Sequence, residues 1–219
     1  LLATALLSMV NILEKMLEEG VTRPQAERQV EFGLPQTAKH GKRLIEADAI
    51  AKYYGARCLF ADSSFYILNG EKVGVAGLNG CGKSTLIKIL TGKEALERGQ
   101  LFVSPSSRIA LVSQDMSELE EYEQVKNAMA VMTRLELNKS HHLLAQMGLP
   151  AGILNRPLTD MSPGEKRKIQ IARAILEEPD LLILDEPLNH LDLASRETLE
   201  EALISYNGSL LLVSHDRYM

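Results

Sequence analysis

The sequence predicts an α/β fold built on a doubly wound, mostly parallel sheet, and two observations support that prediction. A glycine-rich loop at residues 77–84 lies between a strand-like run and a helix-like run. Uninterrupted apolar runs follow at 181–184 and 210–213, each preceded by a helical pattern. Uninterrupted apolar runs are typical of strands buried on both faces of a parallel sheet. Strands that alternate with helices are typical of doubly wound folds.

The segments before the glycine-rich loop predict a helical connector and a group of strands. Residues 1–19 repeat apolar residues at alternating steps of four and three, which is typical of a coiled-coil helix. Charges nearly balance over residues 1–43, so a solvated connector and a binding surface are both open readings. Alternating patterns separated by turn residues then indicate strands. These strands are expected at 43–52, turned near Gly55, at 58–68, and at 72–76.

The segments after the loop continue the alternation of strands and helices. A helix begins at Ser84 and ends before Gly92, and residues 118–148 are mostly helical in pattern. The other expected elements are strands at 101–103 and 109–112, a helix at 169–176, a strand at 181–184, a helix at 194–204 and a strand at 210–213. We predict one domain at 44–219, with an antiparallel β subdomain and a helical subdomain at about 115–160. Residues 1–43 precede it as linker helix and connector.

Composition limits the class of protein. The chain has 219 residues, enough for one domain with an appendage, and its net charge of −5 at pH 7 provides no global basic field for nucleic acid. Two cysteines, Cys58 and Cys81, do not suggest a disulfide framework and suit a reducing compartment. The apolar opening segment lacks the basic start of a signal peptide, and no run is long enough to span a bilayer. We therefore expect a cytoplasmic protein without a membrane segment.

The loop sequence GLNGCGKS at 77–84 fits a phosphate-binding pattern in the strand–loop–helix context that the pattern requires. Glycines let consecutive backbone N–H groups face phosphate oxygens, and the helix N-terminus adds a partial positive charge. Lys83 is expected to reach the β- and γ-phosphates of a nucleotide, and the Ser84 hydroxyl to ligate Mg²⁺. Cys81 is interpreted as a small tolerated residue, with a reactive thiol as the alternative. The expected binding residues are Gly77, Asn79, Gly80, Cys81, Gly82, Lys83, Ser84 and Thr85.

An acidic pair follows the buried strand at 181–184. Asp185 and Glu186 lie at the carboxyl end of that strand, where ligands bind in open α/β sheets. Asp185 is positioned to hold Mg²⁺, and Glu186 to orient or deprotonate the water that attacks a γ-phosphate. Together with the phosphate loop, the pair predicts a P-loop NTPase core that binds the phosphates of a nucleotide with Mg²⁺.

A helix start lies between the two motifs. Ser162 is a candidate N-cap, Pro163 suits the first helical position, and Glu165 completes a capping box. An ordinary helix cap would explain these residues by itself.

The order of phosphate loop, Gln114, Ser-x-Gly-Glu, Asp-Glu-Pro and a final histidine resembles the ATP-binding cassette (ABC) ATPases. The resemblance implies that Ser162, Gly164 and Glu165 belong to the signature segment, which binds the γ-phosphate held by an opposite cassette. This chain has Pro163 where the family usually has glycine, and proline lacks the N–H that would donate to the phosphate.

The resemblance also implies roles for residues that would mean little alone. Tyr54 resembles the aromatic residue that stacks on adenine, with Tyr53 as a competitor. Gln114 resembles the glutamine that touches Mg²⁺ and the attacking water. His215 resembles the histidine that contacts the γ-phosphate, and Asp192 resembles the aspartate at the interface between two cassettes.

The strings DEPLNHLD at 185–192 and SHDRY at 214–218 resemble the ABC-F family, whose members are cytoplasmic and carry two cassettes joined by a helical linker. Leu188 departs from the threonine usual there. The helix at 1–19 resembles the end of that linker, so the chain is similar to a second cassette, and we expect it to be part of a longer protein, cut short at its C-terminus.

The ABC-F resemblance implies an ATPase that acts as a paired cassette, with the second cassette in the same full-length chain or a homodimer. It also implies the ribosome as partner, in translation or in antibiotic-resistance protection. An ATPase subunit of a membrane transporter is the alternative, and an ATP-gated binding module with vestigial hydrolysis is a third reading.

Overall fold

The computed structural model describes residues 42–116, 119, 121–129, 134–150, 152–189 and 191–215. The predicted linker helix at 1–19 and almost all of the connector lie outside these residues. The domain boundaries at 43/44 and at about 115–160 therefore stay predictions.

Three strands form an antiparallel sheet in the order β2-β1-β4. They are β1 (Arg43–Tyr54), β2 (Arg57–Leu68) and β4 (Arg98–Val103). Strand β4 begins at Arg98, earlier than the sequence indicated, and Gly99 within it has a positive φ of 86°. A Cβ at that position would lie 2.5 Å from the carbonyl oxygens of Asp48 and Ala49. The pairing of β1 with β4 shifts register between Asp48 and Ala51. Glycine at position 99 lets β4 approach the main chain of β1 closely at that shift.

Four further strands form a parallel sheet in the order β3-β7-β6-β5. They are β3 (Lys72–Ala76), β5 (Ile109–Val112), β6 (Leu181–Asp185) and β7 (Ser209–Ser214). Every pairing in this sheet is parallel. The carboxyl ends of all four strands therefore meet at one edge of the sheet.

Strand β6 lies at the centre of the core. Leu182 and Leu184 belong to one apolar cluster with the helices, and Leu181 and Ile183 to a second cluster with the antiparallel sheet. All four side chains are fully buried. Burial on both faces explains why the strand reads as an uninterrupted apolar run.

Five helices lie in the described part of the chain. They are α1 (Lys83–Leu90), α2 (Val125–Met129), α3 (Arg134–Gln146), α4 (Pro163–Leu176) and α5 (Leu193–Ile204). Two short 3₁₀ turns, Ile153–Asn155 and Leu158–Asp160, connect α3 to α4. Together with the two sheets, these helices confirm the predicted α/β class with its antiparallel part. Helix α4 begins at Pro163, where the capping box predicted a helix start, and continues through the helix expected at 169–176.

We expect Leu182→Ala to lower the free energy of unfolding by about 2–5 kcal/mol, because it leaves a cavity in a fully buried strand. Leu193→Ala makes the same change at a side chain that is 74% exposed, and should alter stability by less than about 0.5 kcal/mol. Urea unfolding of both variants measures the difference, and equal losses would contradict the central position of β6.

Candidate active site

The candidate site lies at the edge where the parallel strands end. Strand β3 leads into the phosphate loop, β6 ends at Asp185, and β7 ends one residue before His215. The Gly77 N–H donates to the Ser214 carbonyl oxygen over 3.3 Å, which ties the start of the loop to the end of β7. The sheet thus brings together residues that are more than a hundred positions apart in the chain.

The carboxylate of Glu186 lies between two basic groups. Its Oε1 is 3.7 Å from Lys83 Nζ, and its Oε2 is 2.7 Å from His215 Nδ1. The Lys83 and Glu186 side chains are only 8% and 9% exposed, so solvent screens their attraction little. Lys83 also donates to the carbonyl oxygen of Gly77 over 2.7 Å. The structure therefore brings three predicted catalytic residues into one contact chain.

Asp185 lies beside the first helical turn of the phosphate-loop helix. The Ser84 hydroxyl donates to Asp185 Oδ2 over 3.5 Å. Burial, and then the neighbouring charge of Glu186, raise the pKa of the Asp185 carboxyl above its usual range. A carboxylate that burial and a like charge destabilise is suited to hold a cation.

The pair of oxygen donors fits Mg²⁺. Among the described residues, no group of three or more His, Cys, Asp or Glu side chains could hold a metal ion. Mg²⁺ prefers one or two protein oxygens and completes its shell with phosphate oxygens and water. Ser84 and Asp185 are such a pair of hard ligands, and they lie next to the phosphate loop.

Glu186 has an unusual backbone conformation. Its φ of 51° is in the left-handed region, which non-glycine residues rarely adopt. Its N–H donates to the Val213 carbonyl oxygen over 2.8 Å, and its own carbonyl accepts from Arg167 over 3.0 Å. These contacts hold a strained turn that aims the carboxylate at Lys83 and His215, and such strain is concentrated at functional sites.

The phosphate loop takes conformations that its glycines permit. Gly80 and Gly82 have φ values of 74° and 108°. A Cβ on Gly82 would lie 3.2 Å from the Leu59 side chain, and a Cβ on Gly77 would lie 2.6 Å from Cys81 Sγ. The half-buried Cys81 thus packs against the loop itself. Of the remaining predicted loop residues, Asn79 is exposed in the turn and Thr85 is half-buried in the first turn of α1.

Tyr54 lies at the end of β1, near the phosphate loop. The link is Arg57, which pairs with Tyr54 across the turn and donates to the Gly80 carbonyl oxygen over 2.7 Å. The Tyr54 side chain is half exposed, and its hydroxyl donates to Glu94 over 2.6 Å. Lys52 Nζ lies 5.4 Å from the centre of the ring. Tyr53 is less exposed, so Tyr54 is the more accessible of the two candidate aromatic residues.

Gln114 follows β5, at the same edge of the sheet. Its side chain is exposed and, within the described residues, makes no hydrogen bond to Ser84 or Asp185. The main chain on either side of it is held: the Ser113 carbonyl accepts from Arg167 and the Asp115 carbonyl accepts from Gln170. The structure therefore fixes the backbone of Gln114 near the site and leaves its side chain turned to solvent.

The predicted signature residues form the N-terminus of α4. The Ser162 Oγ accepts from the Glu165 N–H over 3.2 Å, and the Ser162 N–H donates to Glu165 Oε2 over 2.9 Å. The hydrogen bond from the Ser162 N–H is the largest of several causes that hold the pKa of the Glu165 carboxyl below its usual range. Pro163 and Gly164 occupy the first two helical positions. The Ser162 side chain therefore lies at the N-terminal end of this helix.

Asp192 caps α5 in the same way. Its carboxylate accepts from the Ser195 N–H over 2.8 Å and from the Ser195 hydroxyl over 3.0 Å. Contacts described for residues 152–189 and 191–215 do not join Asp192, Ser162 or Gly164 to the phosphate loop of the same chain. The structure thus separates these residues from the Lys83–Glu186 group.

Sequence reasoning missed three groups around the site. Arg57 holds the phosphate loop, Arg167 holds the strand ends, and Glu94 holds Tyr54. Each acts across a long sequence separation on a main-chain oxygen or a side chain. A motif search could not have found them, because no local spacing records such contacts.

A family model described as ABC transporter matches residues 60–189, more than half of the chain. The chain belongs to the ABC transporter family. Ribosome protection protein VmlR of Bacillus subtilis (strain 168) is 43% identical over 207 residues, which cover 94% of this chain and 38% of that protein. ABC transporter F family member 2 of Arabidopsis thaliana is 31% identical over 210 residues, which cover 94% of this chain and 31% of that protein.

These relatives confirm the resemblance to ABC-F proteins, and this ABC chain spans about a third of their length. A solved structure of an ATP-binding cassette of an ABC transporter, in its ADP conformation, has a TM-score of 0.66 at 19% identity. The match covers 80% of this chain and 82% of the other, and at that identity it shows the fold alone. In the described ranges, no helix has both the length and the apolar character needed to cross a membrane.

We expect Asp185→Asn to raise the melting temperature of the ligand-free cassette at neutral pH. Burial raises the pKa of the carboxyl, so the ionised form costs more in the folded than in the unfolded state. That cost is absent below the unfolded pKa, of about 3.9, and appears as pH rises through the raised folded value.

Thermal melts at several pH values measure this effect, and the gap between wild type and Asp185→Asn should narrow as pH falls. Glu200→Gln, on the exposed surface of α5, is the matched control and should leave the melting temperature unchanged. A lower melting temperature for Asp185→Asn at neutral pH would show that the carboxylate stabilises the empty fold.

Proposed function

We propose that this cassette binds ATP with Mg²⁺ and hydrolyses it to ADP and phosphate at the Lys83–Asp185–Glu186 site. The observation that carries the proposal is the contact chain from Lys83 through Glu186 to His215, next to the Ser84–Asp185 pair. A phosphate-loop lysine, a cation-binding carboxylate and a general base within one small region are the parts that phosphoryl transfer to water needs.

The residues have distinct tasks in this reaction. Backbone N–H groups of the phosphate loop and Lys83 bind the phosphate tail and offset the charge that develops on the γ-phosphoryl group. Glu186 accepts a hydrogen bond, and finally a proton, from the attacking water. Gln114 and His215 orient that water and the γ-phosphate. Ser84, Gln114 and Asp185 would hold Mg²⁺, which would neutralise phosphate charge.

Tyr54 would receive the adenine ring. Its half-exposed ring is fixed through the hydroxyl by Glu94, and Arg57 connects its strand end to the phosphate loop. Because Glu94 already restricts the Tyr54 ring, stacking of an adenine base on it costs little side-chain conformational entropy.

The cassette would act as one half of a pair. Two capped helix starts lie apart from the chain's own phosphate loop. The start of α4, with Ser162, Gly164 and Glu165, would bind the nucleotide held by another cassette, and Asp192 at the start of α5 would contact that cassette's surface. The N-terminus of α4, with the Ser162 side chain at its end, is suited to a γ-phosphate. Pro163 removes one donor from that end, so we expect weaker recognition than a glycine would give.

The full-length protein would act on the ribosome, in the cytoplasm. The support is the 43% identity to a relative named a ribosome protection protein, together with the F-family relative. The alternative is a membrane-transporter ATPase subunit, which the description of the matching family model favours.

We expect Glu186→Gln to lower the ATP turnover of the full-length protein by about 100-fold or more, because the amide cannot take the proton from water. ATP binding should be retained, since Lys83 and the loop are unchanged. Turnover by phosphate release and affinity by equilibrium titration measure the two effects. Turnover equal to that of wild type would refute the catalytic assignment.

The Glu186→Gln protein also tests the cellular partner. Held with ATP, it should cosediment with ribosomes and not with membrane vesicles, because unhydrolysed ATP keeps the bound state populated. ADP is the control and should release the protein. Sedimentation with membranes alone would favour the transporter reading.

A further inference from the structure

The buried guanidinium of Arg167 contacts the main chain beside two proposed catalytic residues, Gln114 and Glu186. Arg167 lies on α4 and is only 3% exposed. A guanidinium has five N–H donors and no acceptor, and in this cassette each donor has one partner. The acceptors are the carbonyl oxygens of Pro187 at 3.4 Å, Glu186 at 3.0 Å, Asp185 and Ser113, and the side-chain oxygen of Gln170 at 2.9 Å.

The burial of the charged Arg167 side chain in this part of the core is energetically unfavourable. Burial lowers its pKa to about 10, against the attraction of Asp185, Asp115 and Glu186, so it stays charged at neutral pH. In the part of the chain that the structure describes, its partners are carbonyl and amide oxygens, with no carboxylate in direct contact. A buried charge of this kind adds little stability over an apolar residue of similar size. Its position suggests a task beyond packing.

The carbonyls that Arg167 holds lie around two predicted water-positioning residues. Ser113 immediately precedes Gln114, while Asp185, Glu186 and Pro187 form the turn that aims the Glu186 carboxylate. Gln170 accepts from Arg167 and donates to the Asp115 carbonyl oxygen over 3.2 Å, which holds the other side of Gln114. One side-chain pair therefore links the end of β5 to the end of β6.

We propose that Arg167, supported by Gln170, is a positioning residue that sets the placement of Gln114 relative to Glu186 for attack by water. The proposal rests on the proposed ATP hydrolysis and deepens it. The contacts of Arg167 with described residues are to main-chain oxygens and Gln170, and none is to the phosphate loop. Arg167 therefore acts on turnover and not on ATP binding. The strained φ of Glu186 makes its turn dependent on such a clamp.

Arg167→Lys in the full-length protein tests the proposal. Lysine keeps the charge but has three donors on a flexible stem, so at least two of the five acceptors lose their partner. We expect kcat to fall by about tenfold or more, because small misplacements of catalytic groups are costly. ATP affinity should stay within about twofold, since uniform binding is untouched.

Arg173→Lys is the matched control, because it makes the same change on the same helix. Arg173 lies over the Tyr122 ring, 5.2 Å from its centre, and its Nε is 3.7 Å from Glu177 Oε1. Among the described residues it makes no hydrogen bond or ion pair with the ends of the parallel strands. Its kcat and ATP affinity should equal those of wild type. Equal effects of the two substitutions, or a parallel loss of kcat and affinity in Arg167→Lys, would overturn the proposal.

A double-mutant cycle with Gln114→Ala separates positioning from a general loss of stability. If Arg167 acts through Gln114, Arg167→Lys should lower kcat far less in the Gln114→Ala background than in wild type. A purely structural role lowers kcat by the same factor in both backgrounds. If Arg167→Lys does not fold, Gln170→Met takes its place in the cycle, because it keeps the side-chain volume and removes the link to Asp115. It too should lower kcat far less in the Gln114→Ala background than in wild type.

Failure of the underlying function has a different signature. Wild-type protein without ATP turnover would refute the proposed hydrolysis before any variant is compared. Active wild-type protein with additive effects in the cycle would refute only the role of Arg167.

Discussion

The parallel pairing of β6 with both β5 and β7 is the constraint on which the whole site depends. Asp185 pairs with Val213, and Val112 pairs with Leu184, so three strands end together. Because the strands are parallel, the residues that follow them lie together at the edge of the sheet formed by the carboxyl ends of the strands. The apolar clusters on the two faces of β6 keep this register, since a slip by one residue would exchange the faces.

Charge is arranged around this edge at some cost to the fold. Two carboxylates, Asp185 and Glu186, are adjacent and buried, and within the described residues Lys83 forms an ion pair with Glu186 but not with Asp185. Asp185 therefore carries the raised pKa, and Arg167 carries a buried charge behind it. Unfavourable charges that persist in a folded protein commonly belong to its working parts. A bound cation would relieve the unfavourable charge at Asp185.

The same chain combines local and non-local solutions at its helix ends. Ser162 and Asp192 are satisfied by N–H groups three residues later, which is a purely local arrangement. The phosphate loop, in contrast, is held by Arg57 and by the end of β7, both distant in sequence. A helix start that satisfies itself can present its remaining donors to another cassette without distortion. A loop that must surround phosphate needs external support.

Much of the site could be predicted from the sequence because its chemistry is local. The glycine spacing of the phosphate loop, the acidic pair after β6 and the capping box at Ser162 are short patterns formed by a few neighbouring residues. The apolar runs likewise indicated β6 and β7 within a residue of their ends, since full burial leaves a compositional record. The length of β4 was underestimated, because its start depends on a glycine packed against another strand.

Only the tertiary structure decided how these pieces meet. The contact of His215 with Glu186, the tie from Arg57 to Gly80 and the five-fold clamp of Arg167 join segments that sequence spacing does not relate. Sequence determines backbone conformation and burial through nearest neighbours and periodicity. Which donor reaches which acceptor depends on the order of strands in the sheet, and that order is a property of the folded chain as a whole.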